Sequence, residues 1–145
     1  MSFEKPDHHD AKLALRVYEM RREAVLRDSR AAINQRFWPR SYDDVKTVLK
    51  GDHPLNAAYR QVSTYWEMVY GMVKYRLVHP EYFMESNGEG LLLFARIEPH
   101  LEALRRDTSP LVYQNAEWVA RETERGRRQL ELFRVRVQKA LEDRS

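Results

Sequence analysis

The chain has 145 residues, with 25 basic and 22 acidic side chains, five histidines and no cysteine, for a formal charge of +3. That length fits one compact domain, a size at which folding buries roughly 68–70% of the chain's surface, and the 43% hydrophobic content excludes general disorder. Disulfides and thiolate metal sites are excluded outright, and with a polar N-terminus and no run near the roughly 18 apolar residues of a membrane span, a cytoplasmic protein is expected.

Residues 1–9 read as a lead-in to a helical bundle domain over 10–145, with Asp7 or Asp10 available as a cap. The first helix carries the stripe Leu13, Val17, Met20 and Ala24, extended through Leu26, Ile33 and Phe37. It ends at Trp38-Pro39, because the residue before a proline is pushed out of the helical region. Ser41-Tyr42-Asp43-Asp44 opens a short second helix, Ser41 accepting from the amides ahead and two acids sitting at the positive end of the helix dipole. Val45, Val48 and Leu49 supply its buried face, and Gly51 closes it.

The stretch over 54–78 is the expected centre of the fold. Leu55, Tyr59, Val62, Trp66, Val69 and Val73 repeat at spacings of four and three, and Tyr65, Met68, Met72 and Tyr75 form a second row beside them. A helix apolar on so much of its circumference must be covered from more than one side. Pro54 suits its first turn, with Asp52 or His53 as cap. His79-Pro80 ends it, and Pro80 opens a single turn through Met84. Asn87-Gly88 signals a turn, and Gly90 lets the backbone lie close to another element.

Leu91, Leu92, Leu93, Phe94 and Ile97 begin a densely apolar helix that continues as Leu101 and Leu104, with Pro99 imposing a kink or a break. Ser109-Pro110 then opens a long final helix over 110–142. Ala116, Val119, Thr123, Gly126, Leu130, Phe133, Val137 and Ala140 keep a four-three rhythm along it. Gly126 costs about 1 kcal/mol relative to Ala in a helix interior and marks a bend or a close helix crossing. With no alternating strand pattern and no internal repeat, the expected fold is all-α: a single-domain antiparallel helical bundle with a central buried helix and a long C-terminal helix.

Several segments together resemble a known family: Trp38-Pro39-Arg40-Ser41-Tyr42-Asp43-Asp44-Val45, Asn56-Ala57-Ala58-Tyr59-Arg60-Gln61-Val62, Tyr65-Trp66-Glu67, His79-Pro80-Glu81-Tyr82-Phe83, Glu98-Pro99 and Leu104-Arg105-Arg106. Over roughly 18–121 the chain looks like a family of uncharacterised bacterial helical domains, described only as a domain of unknown function. Some members carry an N-terminal membrane helix, for which this chain shows no candidate. The resemblance implies an all-helical fold and supplies no catalytic residue.

Candidate chemistry is sparse. The central helix carries a polar row of Asn56, Arg60, Ser63 or Thr64, Glu67 and Lys74. Were Arg60 and Glu67 covered, each would need a partner, because an unpaired buried charge is costly. Arg60 could then bind an anionic group, and Glu67 between Tyr65, Trp66 and Tyr70 could have a raised pKa. The competing expectation is that this row is a solvent-facing edge or fixes helix register. No Glu-x-x-His or His-x-x-x-His spacing occurs, so no metal is expected. No nucleophile motif or phosphate loop is present either, and an enzyme and a cofactor are not expected. In the last helix Glu117, Glu122, Glu124, Glu131 and Glu142 are interspersed with the basic series from Arg121 to Lys139, so nucleic acid is not expected as a partner. The leading expectation is a non-enzymatic interaction module that self-associates as a homodimer through its last or central helix. The alternative is a small-ligand pocket between the central helix and the helix over 91–104, lined by Tyr65, Trp66, Met68, Tyr70 and Met72 and keyed by Arg60 or Glu67.

Overall fold

The computed structural model describes residues 5–144, and among them the chain is an all-α helical bundle with no strand. The helices are α1 (His8–Arg22), α2 (Ala24–Arg36), α3 (Tyr42–Val48), α4 (Asn56–Lys74), α5 (Pro80–Ser86), α6 (Glu89–Ile97), α7 (Leu101–Asp107), α8 (Gln114–Glu122) and α9 (Glu124–Asp143), with a single 3-10 turn at Glu98–His100. Part of the expected lead-in, residues 1–4, lies outside the described residues. Its end is helical: Asp7 accepts from His9 and Asp10 while its own amide donates to Asp10, a reciprocal cap that starts α1 at His8.

The core is built on α4 and α6. Along α4, Tyr59, Val62, Trp66, Val69 and Val73 are buried, with α2 and α8 laid against the helix. The second row expected on α4 is only partly covered. Tyr65 is buried and Met72 half-buried, but Met68 and Tyr75 face solvent. The helix ends at Lys74, and Arg76 adopts a left-handed φ of 60°, the usual backbone device for stopping a helix. In α6 every residue from Gly90 to Ile97 is buried, enclosed chiefly by α9 and α8. Gly90 is where α6 crosses α4. A Cβ there would sit 2.6 Å from the Tyr70 hydroxyl and 2.7 Å from Trp66, so only a bare backbone fits.

The Ser41 cap signal is realised, and Pro80 stands in the first turn of α5 as expected, with His79 as its cap. Ser41 accepts from the Asp44 amide at 3.3 Å, and the His79 ring accepts from the Tyr82 amide at 3.2 Å. Pro99 produces a break, the 3-10 turn between α6 and α7.

Two helices expected to be continuous are each divided by one residue. At Glu23 the backbone turns extended and the carboxylate accepts from Val25 and Leu26, so the first long helix becomes α1 and α2. At Thr123 the same device separates α8 from α9, the hydroxyl accepting from Gly126 at 2.9 Å. A side chain that caps the next helix stops the previous one without disturbing the apolar rhythm, so periodicity runs straight through the bend. The start of the long helix also moves. Pro110 lies in a turn, and α8 begins at Gln114 after Tyr113, whose φ is 59°.

Candidate functional site

The principal concavity is a groove of about 420 Å³ between α4, the end of α3, α7 and the segment that leads into α8. Tyr59, Ser63 and Glu67 come from one face of α4 at helical spacing. Leu49 and Leu104 close the floor, and Leu111, Val112 and Tyr113 form the opposite lip.

That lip is held from three directions. Tyr113 is buried in its left-handed conformation, which costs an L-residue roughly 1–2 kcal/mol. Its hydroxyl meets the Tyr59 hydroxyl at 2.6 Å, and its ring packs 6.2 Å from that of Phe94. Burial pushes the Tyr59 phenol up to about 12 and the Tyr113 phenol well above its usual value, so the pair stays neutral and hydrogen-bonded. Arg105 of α7 donates to the Val112 carbonyl at 2.9 Å and pairs with Glu117 of α8 at 3.2 Å.

Glu67 provides the third hold. Its two carboxylate oxygens accept the amides of Asn115 at 3.1 Å and Ala116 at 2.7 Å, and the Asn115 side chain donates back to the Glu67 carbonyl at 3.0 Å. The first amides of α8 have no intrahelical partner and no cap from their own segment. A carboxylate on a neighbouring helix therefore caps α8. Desolvation raises the Glu67 pKa, and the two amides and the charges of Lys74 and Arg105 oppose it without cancelling it.

The other expected site residues lie elsewhere. Arg60 is exposed and lines a shallow depression with Ala57, Gln61 and Thr64, which makes this part of the polar row a solvent-facing edge. Tyr65, Trp66 and Tyr70 do cluster, with ring centroids 5.1 and 5.4 Å apart, but away from the groove. Tyr65 donates to the Val17 carbonyl at 2.8 Å and Tyr70 to the Asn87 carbonyl at 2.7 Å. Gly90 brings α6 so close to Trp66 and Tyr70 that no space remains for a pocket between α4 and α6. The space opens farther along, between α4 and α7, where Leu104 ends the expected 91–104 helix, and Glu67 alone of the five expected residues borders it. Among the described residues no group of three or more His, Asp or Glu is placed to hold a metal, and no helix is long and apolar enough to cross a membrane.

Sequence reasoning passed over Arg96. This side chain is 2% exposed and donates to the carbonyls of Leu92, Ile33 and Phe37 and to the Asn34 side chain at 2.8–3.3 Å. Its guanidinium stacks 4.6 Å from the Trp38 ring centroid. Burial pulls its pKa down to about 10, so it remains charged at neutral pH. Asn34 passes the network on to Glu89, which Arg30 pairs at 2.6 Å. A lone cation inside an otherwise apolar run was the available signal.

A family model described as a domain of unknown function (DUF4760) matches residues 6–123. No curated protein and no solved structure matches the chain.

Proposed function

For this chain, which belongs to the DUF4760 family of unknown function, we propose the role of a non-enzymatic helical interaction module that self-associates as a dimer. The observation that carries the reading is a second, outward seam on α9. Its inner face, with Leu130 and Val137 buried, packs into the bundle. On the opposite side Leu132 and Val135 are 59% and 68% exposed, and Arg128 and Lys139 continue the same row at four-residue steps. Large apolar side chains placed at heptad spacing on a solvated helix face fit a partner helix. Taking Leu132 as position a and Val135 as position d, Glu131 and Arg136 fall at g and e. A parallel pairing of two copies about a two-fold axis then sets Glu131 of one against Arg136 of the other. Light scattering across a concentration series tests this: wild type should dimerise and Leu132→Glu should be monomeric. A wild-type chain that stays monomeric at high concentration sinks the reading.

The groove supports a second reading, a small-ligand-binding bundle. Its volume and largely apolar wall, with Ser63, Thr64, Glu67, Thr108 and Ser109 among its few polar groups, match the usual make-up of a ligand pocket. Thermal-shift screening with apolar metabolites should then produce stabilisation that Ser63→Trp abolishes.

A further inference from the structure

We propose that α9 is an exchangeable helix: by straightening at Thr123 the chain lends α9 to the cleft formed by α5, α6 and α8 of a second copy and receives that copy's α9 in return. The proposal rests on the reading that two copies associate and gives that association a different interface, the inner face of α9 rather than the outward Leu132–Val135 seam.

The hinge is one residue. Thr123 has φ −108° and ψ 144°, and its amide already donates to the Val119 carbonyl at 3.3 Å, the next bond of the α8 ladder. A rotation of ψ towards the helical value near −42° would make α8 and α9 one rod. The amides of Glu124 and Arg125, which Glu81 accepts at 3.2 and 2.8 Å in the bent form, would then meet the carbonyls one turn earlier, at Ala120 and Arg121. The sequence favours that rod as well, because the four-three rhythm from Ala116 to Ala140 crosses Thr123 in phase.

Gly126 selects the bend. A Cβ there would lie 2.2 Å from the Val119 carbonyl oxygen and 2.4 Å from the Thr123 hydroxyl. In a straight helix the two positions stand about 10 Å apart along the axis and the contact vanishes. The glycine is thus needed by the bent state and disfavoured in the straight one.

What α9 leaves behind names its replacement. The buried run Gly90–Ile97 of α6 would open to water along the side α9 covers, and its surroundings present Glu98 for Arg134, held bidentately, and Glu85 for Arg125, at 3.2 Å. A second copy's α9 satisfies all of these with the contacts already seen within one chain. Closed exchange of this kind is a low-cost route to a dimer because only the hinge differs between the two forms.

The test uses the full chain, whose lack of cysteine lets introduced thiols report without background. A Cβ at Gly88 would sit 3.3 Å from Cγ of Gln129 on α9, within reach of a disulfide. The double variant Gly88→Cys with Gln129→Cys should close within one chain and serves as the geometric control. The two single variants, mixed, unfolded together, refolded and oxidised, should give a covalent heterodimer through Gly88→Cys of one copy and Gln129→Cys of the other. Gly126→Ala should raise the dimer-to-monomer ratio by about tenfold at fixed concentration, the shift expected for losing a glycine-dependent bend. Should Gly126→Ala fail to fold, Thr123→Ala removes the cap without the clash and should act in the same direction, while Thr123→Ser should behave as wild type. Dimers without the mixed disulfide overturn the exchange and leave side-by-side association standing. Monomers throughout the series overturn both.

Discussion

Replacing Glu67 isolates the contact on which the groove depends. Glu67→Ala leaves the amides of Asn115 and Ala116 without their acceptor at a half-buried helix start that no residue of its own segment caps. Loss of a cap costs about 0.5–2 kcal/mol and an unsatisfied buried donor about 1–3 kcal/mol. Since these overlap, a loss of roughly 2–3 kcal/mol is expected, or about 5–10 °C in Tm for a chain of this length. Glu67→Gln retains one accepting oxygen and should lose about half as much. The pH dependence adds a sharper check. Burial raises the folded pKa of Glu67 above its ordinary value of 4.5, so folding disfavours the ionised form. The stability linked to its protonation is fully present below that ordinary value and is lost as pH rises through the raised one. Wild type should therefore hold its largest advantage over Glu67→Gln in acid and a smaller one at neutral pH. Urea titrations of the two proteins between pH 4 and 7 measure this directly. An advantage that grows with pH would show that the two amides outweigh desolvation. A loss below about 0.5 kcal/mol in Glu67→Ala would show that α8 does not depend on this cap.

Substitutions at Arg96, at Gly90 and in the Tyr59–Tyr113 pair probe the supports of the core. Arg96→Ala should cost about 3 kcal/mol or more, because it removes several charge-assisted bonds at once and leaves the Phe37 carbonyl without its donor, while the Ile33 carbonyl keeps only the Phe37 amide; Arg96→Lys, unable to serve these acceptors together, should recover little of that in a urea melt. Gly90→Ala should cost about 1–3 kcal/mol by overpacking, since Tyr70, fully buried and bonded to Asn87, cannot yield the space. Tyr59→Phe and Tyr113→Phe each leave one hydroxyl without its 2.6 Å partner, and a double-mutant cycle should show the pair of changes costing less than the sum of the single ones.

Much of the architecture was legible in order along the chain. The four-three row placed α4 and the dense apolar run placed α6, Pro39 and Pro99 marked breaks, Pro80 marked the first turn of α5, and Ser41 was identifiable as a cap from its local sequence. By contrast, α4 ends at Lys74, short of the expected His79-Pro80 stop. The resemblance to a family of unknown function is upheld by the family match. The bend at Glu23 was hidden because a capping residue occupies one position without shifting the helical phase, whereas the bend at Thr123 was signalled by Gly126, whose amide Thr123 caps. The groove does lie between α4 and Leu104 of the expected 91–104 helix, but its far lip was not foreseen, because Pro110 looked like a helix start, when the chain makes a further turn and enters α8 through a left-handed tyrosine.

By itself, the sequence determined the class of fold, the main buried row of α4 and the absence of thiol chemistry, since these follow from periodicity and composition within short windows. Tertiary structure alone decided that Glu67 caps a helix 48 residues away, that Arg96 lies inside the core, and that Arg60 does not. The physical reason is the same in each case. Whether a polar side chain is solvated, paired or buried depends on which element lies across from it, and that neighbour is set by packing between helices distant in the chain.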